Sequence, residues 1–368
     1  MTQLNCAASS TLGRLNEQIA LAFSLTVLYT IKYVCRIFYK ATIMAQLFDI
    51  NNKKLVTNRI GRQYWIWNND KLYEQRMARE NGPYQARNLV MNRRLLPTAR
   101  TVIDIGGNIG MNAIEYATWC QHVKTFEPMQ SSMELMKLNV DIAKNAKLQG
   151  RYWDSKLQQV RHQPDRPDGW FKFPNGTFAS LDLIGEIEFF EYALGKVAGI
   201  ITMEQKTNEC SRGDAVLLDG KTTNNPTQTA EQRTLDSFGF ENVDLIKIDI
   251  EGSELFALEG ATQTIAKYQP VVQVELRDTH CKRFGYTCND IINLMMGLGD
   301  YVMCDFNGND LGKSYTKVSG VMDRFFVPRS IFDATEFKNK KVHPGMKKTK
   351  TDKKANNKHL SNLFEITL

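Results

Sequence analysis

Between residues 101 and 327, short apolar runs alternate with segments that have the periodicity of helices. The runs are nearly continuous in aliphatic residues, which is typical of strands buried on both faces of a sheet. Strands that alternate with helices form a parallel sheet that the helices cover on both sides. The sequence therefore predicts an α/β fold with a mostly parallel, doubly wound sheet. Its strands are expected at residues 101–105, 123–126, 187–194, 245–250, 271–276, 301–304 and 324–327.

Helical patterns fill the intervals between these strands. Residues 111–120, 253–266 and 289–296 are predicted helices. Another helix is expected to begin at Ser131, because Ser131 and Glu134 have the spacing of a capping box. Residues 205–232 are polar and rich in turn formers, which predicts a surface loop.

The extent of this alternation predicts the domain boundaries. The central domain is expected at residues 82–330, with an insertion at about 150–185. Because that insertion is rich in aromatic residues as well as proline, we expect it to be ordered and to cap the site. Residues 44–81 are a lead-in, residues 1–43 an apolar extension, and residues 331–368 a basic tail that is expected to be disordered.

The N-terminal region contains an uncharged, mostly apolar run at residues 18–31. No apolar run of the chain reaches the roughly 20 residues that a spanning helix needs, which excludes a polytopic membrane protein. Three interpretations of this run stay open. It is an interfacial membrane helix over residues 18–39, a packed helix, or a non-native extension upstream of a start at Met44.

The net charge of +7 comes from the C-terminal tail. Residues 338–359 contain nine Lys and one Asp, so the rest of the chain is close to neutral. A basic tail on a neutral body is more typical of a solvated end than of a nucleic-acid interface, which makes nucleic acid a disfavoured partner.

The seven cysteines are scattered and include no Cys-x-x-Cys pair. This pattern argues against a disulfide framework and against a structural zinc site, and it favours a reducing, cytoplasmic compartment. His280, Cys281 and Cys288 are close in sequence, but they lack the tight spacing and the fourth ligand of most metal sites. No residue is therefore assigned as a metal ligand.

The strongest local motif is Asp-Ile-Gly-Gly-Asn-Ile-Gly at residues 104–110, directly after a predicted strand and before a predicted helix. Glycines let the backbone approach a ligand closely, and a helix N-terminus offers free N–H groups. The motif is not the dinucleotide pattern Gly-x-Gly-x-x-Gly, because Ile stands at position 105. An acid before the turn, at Asp104, suits a cationic ligand without a phosphate. S-adenosylmethionine has this chemistry.

Glu127 strengthens this interpretation, because it follows the second predicted strand, 21 residues after Gly106. A carboxylate in this position can accept hydrogen bonds from both hydroxyls of a ribose. Taken alone, Glu127 has the alternative interpretation of an acid at the start of a helix. Together with the glycine turn, it indicates a ribose-containing cofactor.

Four blocks and the distances between them resemble the FkbM family of S-adenosylmethionine-dependent methyltransferases. The resemblance covers about residues 82–328 and implies a Rossmann-like, seven-strand class I methyltransferase fold. It implies methyl transfer to a hydroxyl oxygen, often on a sugar or a secondary metabolite. The blocks are residues 104–110, Thr-Phe-Glu-Pro at 125–128, Ile-Lys-Ile-Asp-Ile-Glu-Gly at 246–252 and Pro-Val-Val-Gln-Val-Glu at 270–275.

The resemblance also implies which residues bind the cofactor. The glycine turn would line the methionine part, Glu127 would hold the ribose, and Ala193 would lie near the adenine. The insertion, the first 80 residues and the basic tail depart from the family, which leaves the acceptor open. The cofactor-binding residues expected on this basis are Asp104, Gly106, Gly107, Asn108, Gly110, Glu127 and Ala193.

Three acids at the ends of two predicted strands are the candidate catalytic residues: Asp249, Glu251 and Glu275. Strand ends converge on the cleft of a doubly wound sheet, so a carboxylate there can act as a general base toward a hydroxyl. Two or three carboxylates can also hold a divalent cation. Glu251 has an alternative role in ordering the turn into the next helix, and His280 is an alternative base.

We therefore expect a methyltransferase that acts on a hydroxyl-bearing small molecule or glycan. Two alternatives stay open at this point. One is an RNA ribose methyltransferase that uses its Lys-rich tail for affinity. The other is an inactive methyltransferase-like module tethered to a membrane through residues 18–39.

Overall fold

The computed structural model describes residues 52–58, 62–68, 70–79, 85–145, 183–205, 215–218, 222–314, 323–335 and 337, and the backbone of four short strands between 151 and 180. Two units are distinguished, Met1–Asn52 and Lys53–Leu368. Only Asn52 of the first unit is described, so the account below concerns the second.

The described part of the chain contains strands and helices in the following order. The strands are β1 Lys53–Thr57, β2 Gln63–Trp67, β3 Ala99–Ile105, β4 Cys120–Phe126, β5 Arg151–Asp154, β6 Gln159–His162, β7 Trp170–Lys172, β8 Phe178–Ser180, β9 Glu186–Phe190, β10 Ala193–Leu194, β11 Gly199–Gln205, β12 Ala215–Leu217, β13 Thr227–Arg233, β14 Val243–Ile248, β15 Val271–Glu275, β16 Tyr301–Cys304 and β17 Asp323–Pro328. The helices are α1 Lys71–Arg79, α2 Ala86–Leu95, α3 Met111–Tyr116, α4 Gln130–Asn145, α5 Glu254–Glu259, α6 Thr262–Tyr268, α7 Asp278–Arg283, α8 Cys288–Leu298 and α9 Arg329–Ala334.

Seven strands form the central sheet, in the order β16-β17-β15-β14-β3-β4-β9. Strands β9, β4, β3, β14 and β15 pair in parallel, and β17 runs antiparallel between β15 and β16. The predicted fold class is confirmed: the protein has a seven-strand, mostly parallel, doubly wound sheet. The order changes direction at β3 and β14, which places their carboxyl ends at the crevice where such sheets bind ligands.

Two hydrophobic clusters cover the two faces of this sheet. Successive side chains of a strand point to opposite faces, and Val102 and Ile103 of β3 accordingly belong to different clusters, both fully buried. Helices α2, α3 and α4 contribute to the first cluster, and α5, α6 and α8 contribute to the second. The helices thus lie on both sides of the sheet, as the alternation predicted.

The β1–β2 hairpin joins the central domain through a buried ion pair. Arg62 Nε lies 2.7 Å from Glu115 Oε1 of α3, and both side chains are almost completely buried. The Tyr64 hydroxyl donates a hydrogen bond to the same carboxylate oxygen. The part of the predicted lead-in that begins at Lys53 is therefore anchored to α3 by contacts that are costly to break.

The prediction of one helix over residues 253–266 was wrong, because the structure has two short helices, α5 and α6. The chain turns at Gly260, where it passes close to the β10 region. A Cβ on Gly260 would lie 2.1 Å from the carbonyl oxygen of Gly195. Tight backbone contact between distant segments sets this break, and helix periodicity contains no signal of it.

The single strand predicted over residues 187–194 is also divided. β9 ends at Phe190 and pairs with β4, whereas β10 belongs to a second sheet of order β10-β13-β11-β12. That sheet includes β13 and β12, so the surface loop predicted at residues 205–232 was wrong in this part. β13 is polar because Ala230 is its one buried position, and its other residues are half-buried or exposed.

The capping box predicted at Ser131 and Glu134 does not form, because α4 begins one residue earlier, at Gln130. A capping box forms instead at Thr287 and Asp290, at the start of α8.

Of the insertion at 150–185, the structure describes two β-hairpins, β5–β6 and β7–β8, by their backbone. Its predicted capping role lies outside the described residues.

The predictions for residues 1–43 and most of the basic tail also concern residues that are not described, and the domain boundaries stay predictions. Across the described residues, the helices are too short or too polar to cross a membrane.

Candidate active site

The glycine turn connects β3 to α3 in a conformation that requires glycine. Gly106 and Gly110 have φ of +79° and +86°, in the left-handed region. A Cβ on Gly106 would lie 2.1 Å from the carbonyl oxygen of Asp249, and one on Gly107 would lie 2.1 Å from Thr125 Oγ1. These glycines let the turn approach neighbouring strand ends of the protein itself. Their predicted contact with the cofactor stays a prediction.

Glu127 lies next to this turn, and a backbone N–H group of the turn binds its carboxylate. Its Oε2 accepts a hydrogen bond from the backbone N–H of Asn108 at 2.9 Å, and its Oε1 accepts one from the N–H of Met129 at 2.9 Å. Burial raises the pKa of Glu127 to about 7, although these two hydrogen bonds oppose the rise. Each oxygen retains a second lone pair. The carboxylate is therefore fixed in place and still able to accept hydrogen bonds from a diol.

A residue of the lead-in also reaches the turn, which the sequence did not predict. Tyr73 of α1 accepts a hydrogen bond at its hydroxyl oxygen from Asn108 Nδ2, at 3.0 Å. Asn108 itself has a left-handed φ of +49°. The α1 contact stabilises the orientation of a residue that the motif assigned to the cofactor. Only the packing of α1 reveals this relationship.

Asp104 precedes the glycine turn and lies between two other polar residues, one on β4 and one on β14. It is fully buried, and its carboxylate lies 3.2 Å from Nζ of Lys247. The two residues are direct neighbours on the parallel strands β3 and β14, with Thr125 on the far side of Asp104. The ammonium also donates a hydrogen bond to the carbonyl oxygen of Gly106 at 3.0 Å. The pair thus supports the turn from within the sheet, whereas direct contact of Asp104 with a ligand stays a prediction.

The candidate catalytic acids lie beside the glycine turn. β14 ends at Ile248, so Asp249 stands in the turn that follows and not in the predicted strand of residues 245–250. The backbone N–H of Asp249 donates to the carbonyl oxygen of Ile105 at 3.2 Å. Glu251 has a φ of +57°, which is uncommon for a residue other than glycine, asparagine or aspartate. This bend, and not strand alternation, sets the direction of its side chain.

The structure brings together all three of these acids. One carboxylate oxygen from each of Asp249, Glu251 and Glu275 lies within 4.8 Å of the other two. A fourth acid, Asp323, stands opposite Glu275 on β17. The sequence did not single out Asp323, because its approach depends on the antiparallel pairing of the last strand. Such a group can hold a proton or a cation.

Glu275 has a strongly raised pKa within this group. Burial raises its pKa to about 9, the charge of Asp249 adds to the rise, and the guanidinium of Arg277 opposes it. Arg277 donates a hydrogen bond to Glu275 Oε1 at 3.0 Å. Glu275 therefore carries a proton at neutral pH.

His280 of α7 lies between two of the acids, at 3.5 Å from Glu251 Oε2 and 3.7 Å from Glu275 Oε2. Arg277 Nη1 lies 3.0 Å from His280 Nε2. Because a guanidinium only donates, this contact requires Nε2 to be an acceptor, with the ring proton on Nδ1. His280 is thus part of the same group of side chains.

Ala193 stands apart from the acids. It is buried in β10 and pairs with Gln232 of β13. The residue lies three positions after Phe190, whose carbonyl oxygen accepts a hydrogen bond from the N–H of Glu127. Its predicted position near an adenine is not tested by these contacts and stays a prediction.

The sheet order, the glycine turn and the acid after β4 are the features of a class I methyltransferase. Residues 104–315, more than half of the chain, match the sequence model of the methyltransferase FkbM domain. The chain belongs to this family. The match includes the glycine turn, Glu127 and the three acids, so the chain carries a methyltransferase domain of this family.

Solved structures with similarity to this FkbM protein include methyltransferases. FkbM from Methylobacillus flagellatus is 15% identical, with 62% of this chain and 43% of that chain covered and a TM-score of 0.34. An O-methyltransferase from Bacillus cereus, in complex with SAH, is 12% identical, with coverages of 68% and 82% and a TM-score of 0.31. M. jannaschii TYW2, in complex with AdoMet, is 8% identical, with coverages of 75% and 84% and a TM-score of 0.31.

The match to the Methylobacillus protein spans less than half of that protein's length. A search of the curated proteins finds no match. The family assignment therefore rests on the domain match and the fold on the observed sheet.

Proposed function

We propose that the protein transfers a methyl group to a hydroxyl oxygen of a glycan or a small hydroxylated metabolite, with Asp249 as the general base. The observation that carries this proposal is the contact between the acid turn and the glycine turn. The Asp249 carbonyl oxygen occupies the space into which a Cβ of Gly106 would project. The residue that carries the proposed general base therefore contacts, through its backbone, the turn that the family motif assigns to the cofactor.

The residues around Glu127 fit S-adenosylmethionine. Two backbone N–H groups fix the carboxylate of Glu127, and its remaining lone pairs suit the two hydroxyls of a ribose. When bound, S-adenosylmethionine supplies an electrophilic methyl group on a sulfonium. Glu127 would hold the ribose, and the turn at Gly106, supported by Lys247, would orient the methionine part.

The acids would have different roles in methyl transfer. A hydroxyl is a weak nucleophile until its proton is removed, and a positioned carboxylate contributes about 10²- to 10⁴-fold to the rate. Glu275 already carries a proton at neutral pH, because its pKa is raised to about 9. Glu275 is therefore not available as a proton acceptor, and we assign that role to Asp249. The neutral Glu275 and the nearby Arg277 limit the repulsion between the carboxylates.

A divalent cation among the three acids is the alternative way to activate the hydroxyl. The spacing of their oxygens permits it, and the cation would lower the pKa of the bound hydroxyl. In that case the rate would depend on added Mg²⁺ or Mn²⁺. In the general-base mechanism it would not.

The test is methyl transfer from labelled S-adenosylmethionine into fractionated extract, with the full chain as enzyme. The label is expected in a low-molecular-weight or glycan fraction, and a methyl ether should survive mild alkali, which cleaves methyl esters. Asp249→Asn is the matched inactive control. Label that enters RNA and is released by ribonuclease would instead support RNA methylation. Label lost in alkali would contradict transfer to a hydroxyl.

A further inference from the structure

The turn that presents Asp249 and Glu251 is held by a buried side chain outside the candidate catalytic group. Glu254, the first residue of α5, is 1% exposed. Its Oε1 accepts hydrogen bonds from the backbone N–H groups of Ile250 at 3.1 Å and Gly252 at 3.0 Å. These two residues flank Glu251. One carboxyl oxygen therefore holds both sides of the left-handed residue.

Tyr286 completes the arrangement from the segment between α7 and α8. Its hydroxyl lies 2.7 Å from the carbonyl oxygen of Gly252 and 3.3 Å from Glu254 Oε2. A tyrosine hydroxyl has one hydrogen, and the shorter contact takes it. The contact to Glu254 Oε2 then joins two oxygens without a hydrogen, unless Glu254 supplies one. The geometry thus favours a neutral Glu254 that donates to Tyr286, which donates in turn to Gly252.

We propose that Glu254, as a neutral carboxylic acid, is the positioning residue that holds Glu251 in its left-handed conformation and so brings the acids together. A left-handed backbone at a non-glycine residue costs free energy and persists only where surrounding contacts impose it. The contacts of Glu254 supply this constraint at the site of the proposed chemistry. The inference rests on the proposed function, because it assigns Asp249 and Glu251 a role in transfer.

The surroundings of Glu254 agree with a neutral side chain. Burial raises its pKa to about 7, opposed by the hydrogen bonds from Gly252 and Ile250. Titratable groups that interact with it include Asp249 in the turn after β14, Tyr286, and Cys281 of α7. The negative charge of Asp249 adds to the rise.

The first experiment measures hydrogen exchange at the Ile250 and Gly252 amides in the full chain. Glu254→Gln keeps the acceptor oxygen and replaces the hydroxyl donor by an amide donor, so both amides should stay as protected as in the wild type. Glu254→Leu removes the acceptor of both N–H groups, and their exchange should be about 10- to 100-fold faster. Glu259→Gln, at the half-buried last residue of the same helix, is the control. Unchanged protection in Glu254→Leu would overturn the proposal.

The second experiment compares transfer rates and the affinity for S-adenosylhomocysteine. Glu254→Gln should retain kcat within about threefold, whereas Glu254→Leu should lose about 10²-fold in kcat with little change in cofactor affinity. An equal loss of kcat in both variants would show that transfer needs a charged Glu254, and it would overturn the proposal that Glu254 is neutral.

These outcomes can be separated from failure of the proposed function. If the wild type methylates no hydroxyl, the proposed function fails, while exchange at Gly252 still decides whether Glu254 holds the turn. If Glu254→Leu does not fold, the proton on Glu254 is tested with Glu254→Gln alone. The wild type should then lose stability relative to this variant as the pH rises through 7, and a pH-independent difference would overturn the proposal.

Discussion

The carboxylate of Asp104 and the ammonium of Lys247 form an ion pair at 3.2 Å between adjacent parallel strands, and both side chains are at most 3% exposed. Burial raises the pKa of Asp104, and the charge of Lys247 opposes that rise. The same ammonium binds the carbonyl oxygen of Gly106. One buried cation thus connects the interior of the sheet to the first residue of the glycine turn.

Removal of this cation should destabilise the protein. Lys247→Met leaves the carboxylate of Asp104 buried without its partner, which costs about 3–5 kcal/mol of unfolding free energy. The double variant Asp104→Asn/Lys247→Met should recover part of the loss, because no buried charge remains. Chemical denaturation of the four proteins in the cycle measures this. Lys196→Met, which removes an exposed ion pair with Glu259, is the control and should cost at most about 1 kcal/mol. An equally small loss in Lys247→Met would contradict a structural role.

Glu127→Ala should weaken cofactor binding by about 1.5–3 kcal/mol, the range for hydrogen bonds to a charged group. The variant loses the acceptor for the ribose and also frees the N–H groups of Asn108 and Met129. Calorimetry with S-adenosylhomocysteine measures the affinity. Glu134→Ala, on the exposed face of α4, should bind as the wild type does. Wild-type affinity in Glu127→Ala would remove Glu127 from the ribose site.

Cofactor affinity should depend on pH through Glu127. Its pKa is raised from 4.5 to about 7, and the protonated carboxyl offers fewer acceptor sites to a diol. The affinity should therefore fall as the pH drops below 7, by up to about tenfold per pH unit. The contribution of Glu127 to stability has the opposite sign: it is fully present below pH 4.5 and is lost as the pH rises through 7. Calorimetry at pH 5.5–8.5 checks the affinity, and a wild-type slope in Glu127→Gln would assign the effect to another group.

Asp249→Asn should abolish methyl transfer and leave cofactor affinity nearly unchanged. Asparagine keeps the size of the side chain but cannot take a proton, so the rate should fall by about 10² to 10⁴. Transfer kinetics and calorimetry on the same preparation separate the two effects. Asp300→Asn, on the surface at the α8–β16 turn, serves as the control.

The effect of a chelator distinguishes the two ways in which Asp249 could act. If a divalent cation activates the hydroxyl, EDTA should inhibit the wild type and added Mg²⁺ or Mn²⁺ should restore the rate. A rate that EDTA leaves unchanged supports the general base. Full activity in Asp249→Asn would exclude Asp249 and direct attention to Glu275 and His280.

A protein without residues 1–43 and 338–368 should fold and bind the cofactor, because both segments lie outside the alternating pattern. A longer deletion, to residue 69, removes Arg62 and its ion pair with Glu115 together with the buried side chains of Tyr64 and Ile66. That deletion should cost at least about 3–5 kcal/mol of unfolding free energy. Thermal unfolding and calorimetry compare the two proteins. Loss of cooperative unfolding in the shorter deletion would show that the domain boundary is misplaced.

The sequence by itself determined the type of fold, because the features that define it are local. Apolar runs of strand length, a glycine turn and an acid after the next strand can each be recognised within a few residues. These features predicted the parallel sheet, the FkbM family and the acids at its carboxyl edge. Element boundaries were less well defined. The break at Gly260 and the division of the strand at residues 187–194 depend on contacts with distant segments.

Only the tertiary structure decided which side chains meet. Lys247 is paired with Asp104 because β14 lies beside β3 in one particular register, and a shift of one residue would turn it to the other face. Tyr73, Glu254 and Tyr286 reach the site from three separate segments. Each of these contacts joins residues far apart in sequence or bends the backbone away from regular geometry. Periodicity and motif spacing do not predict such contacts or bends, since these patterns describe only the residues within one element.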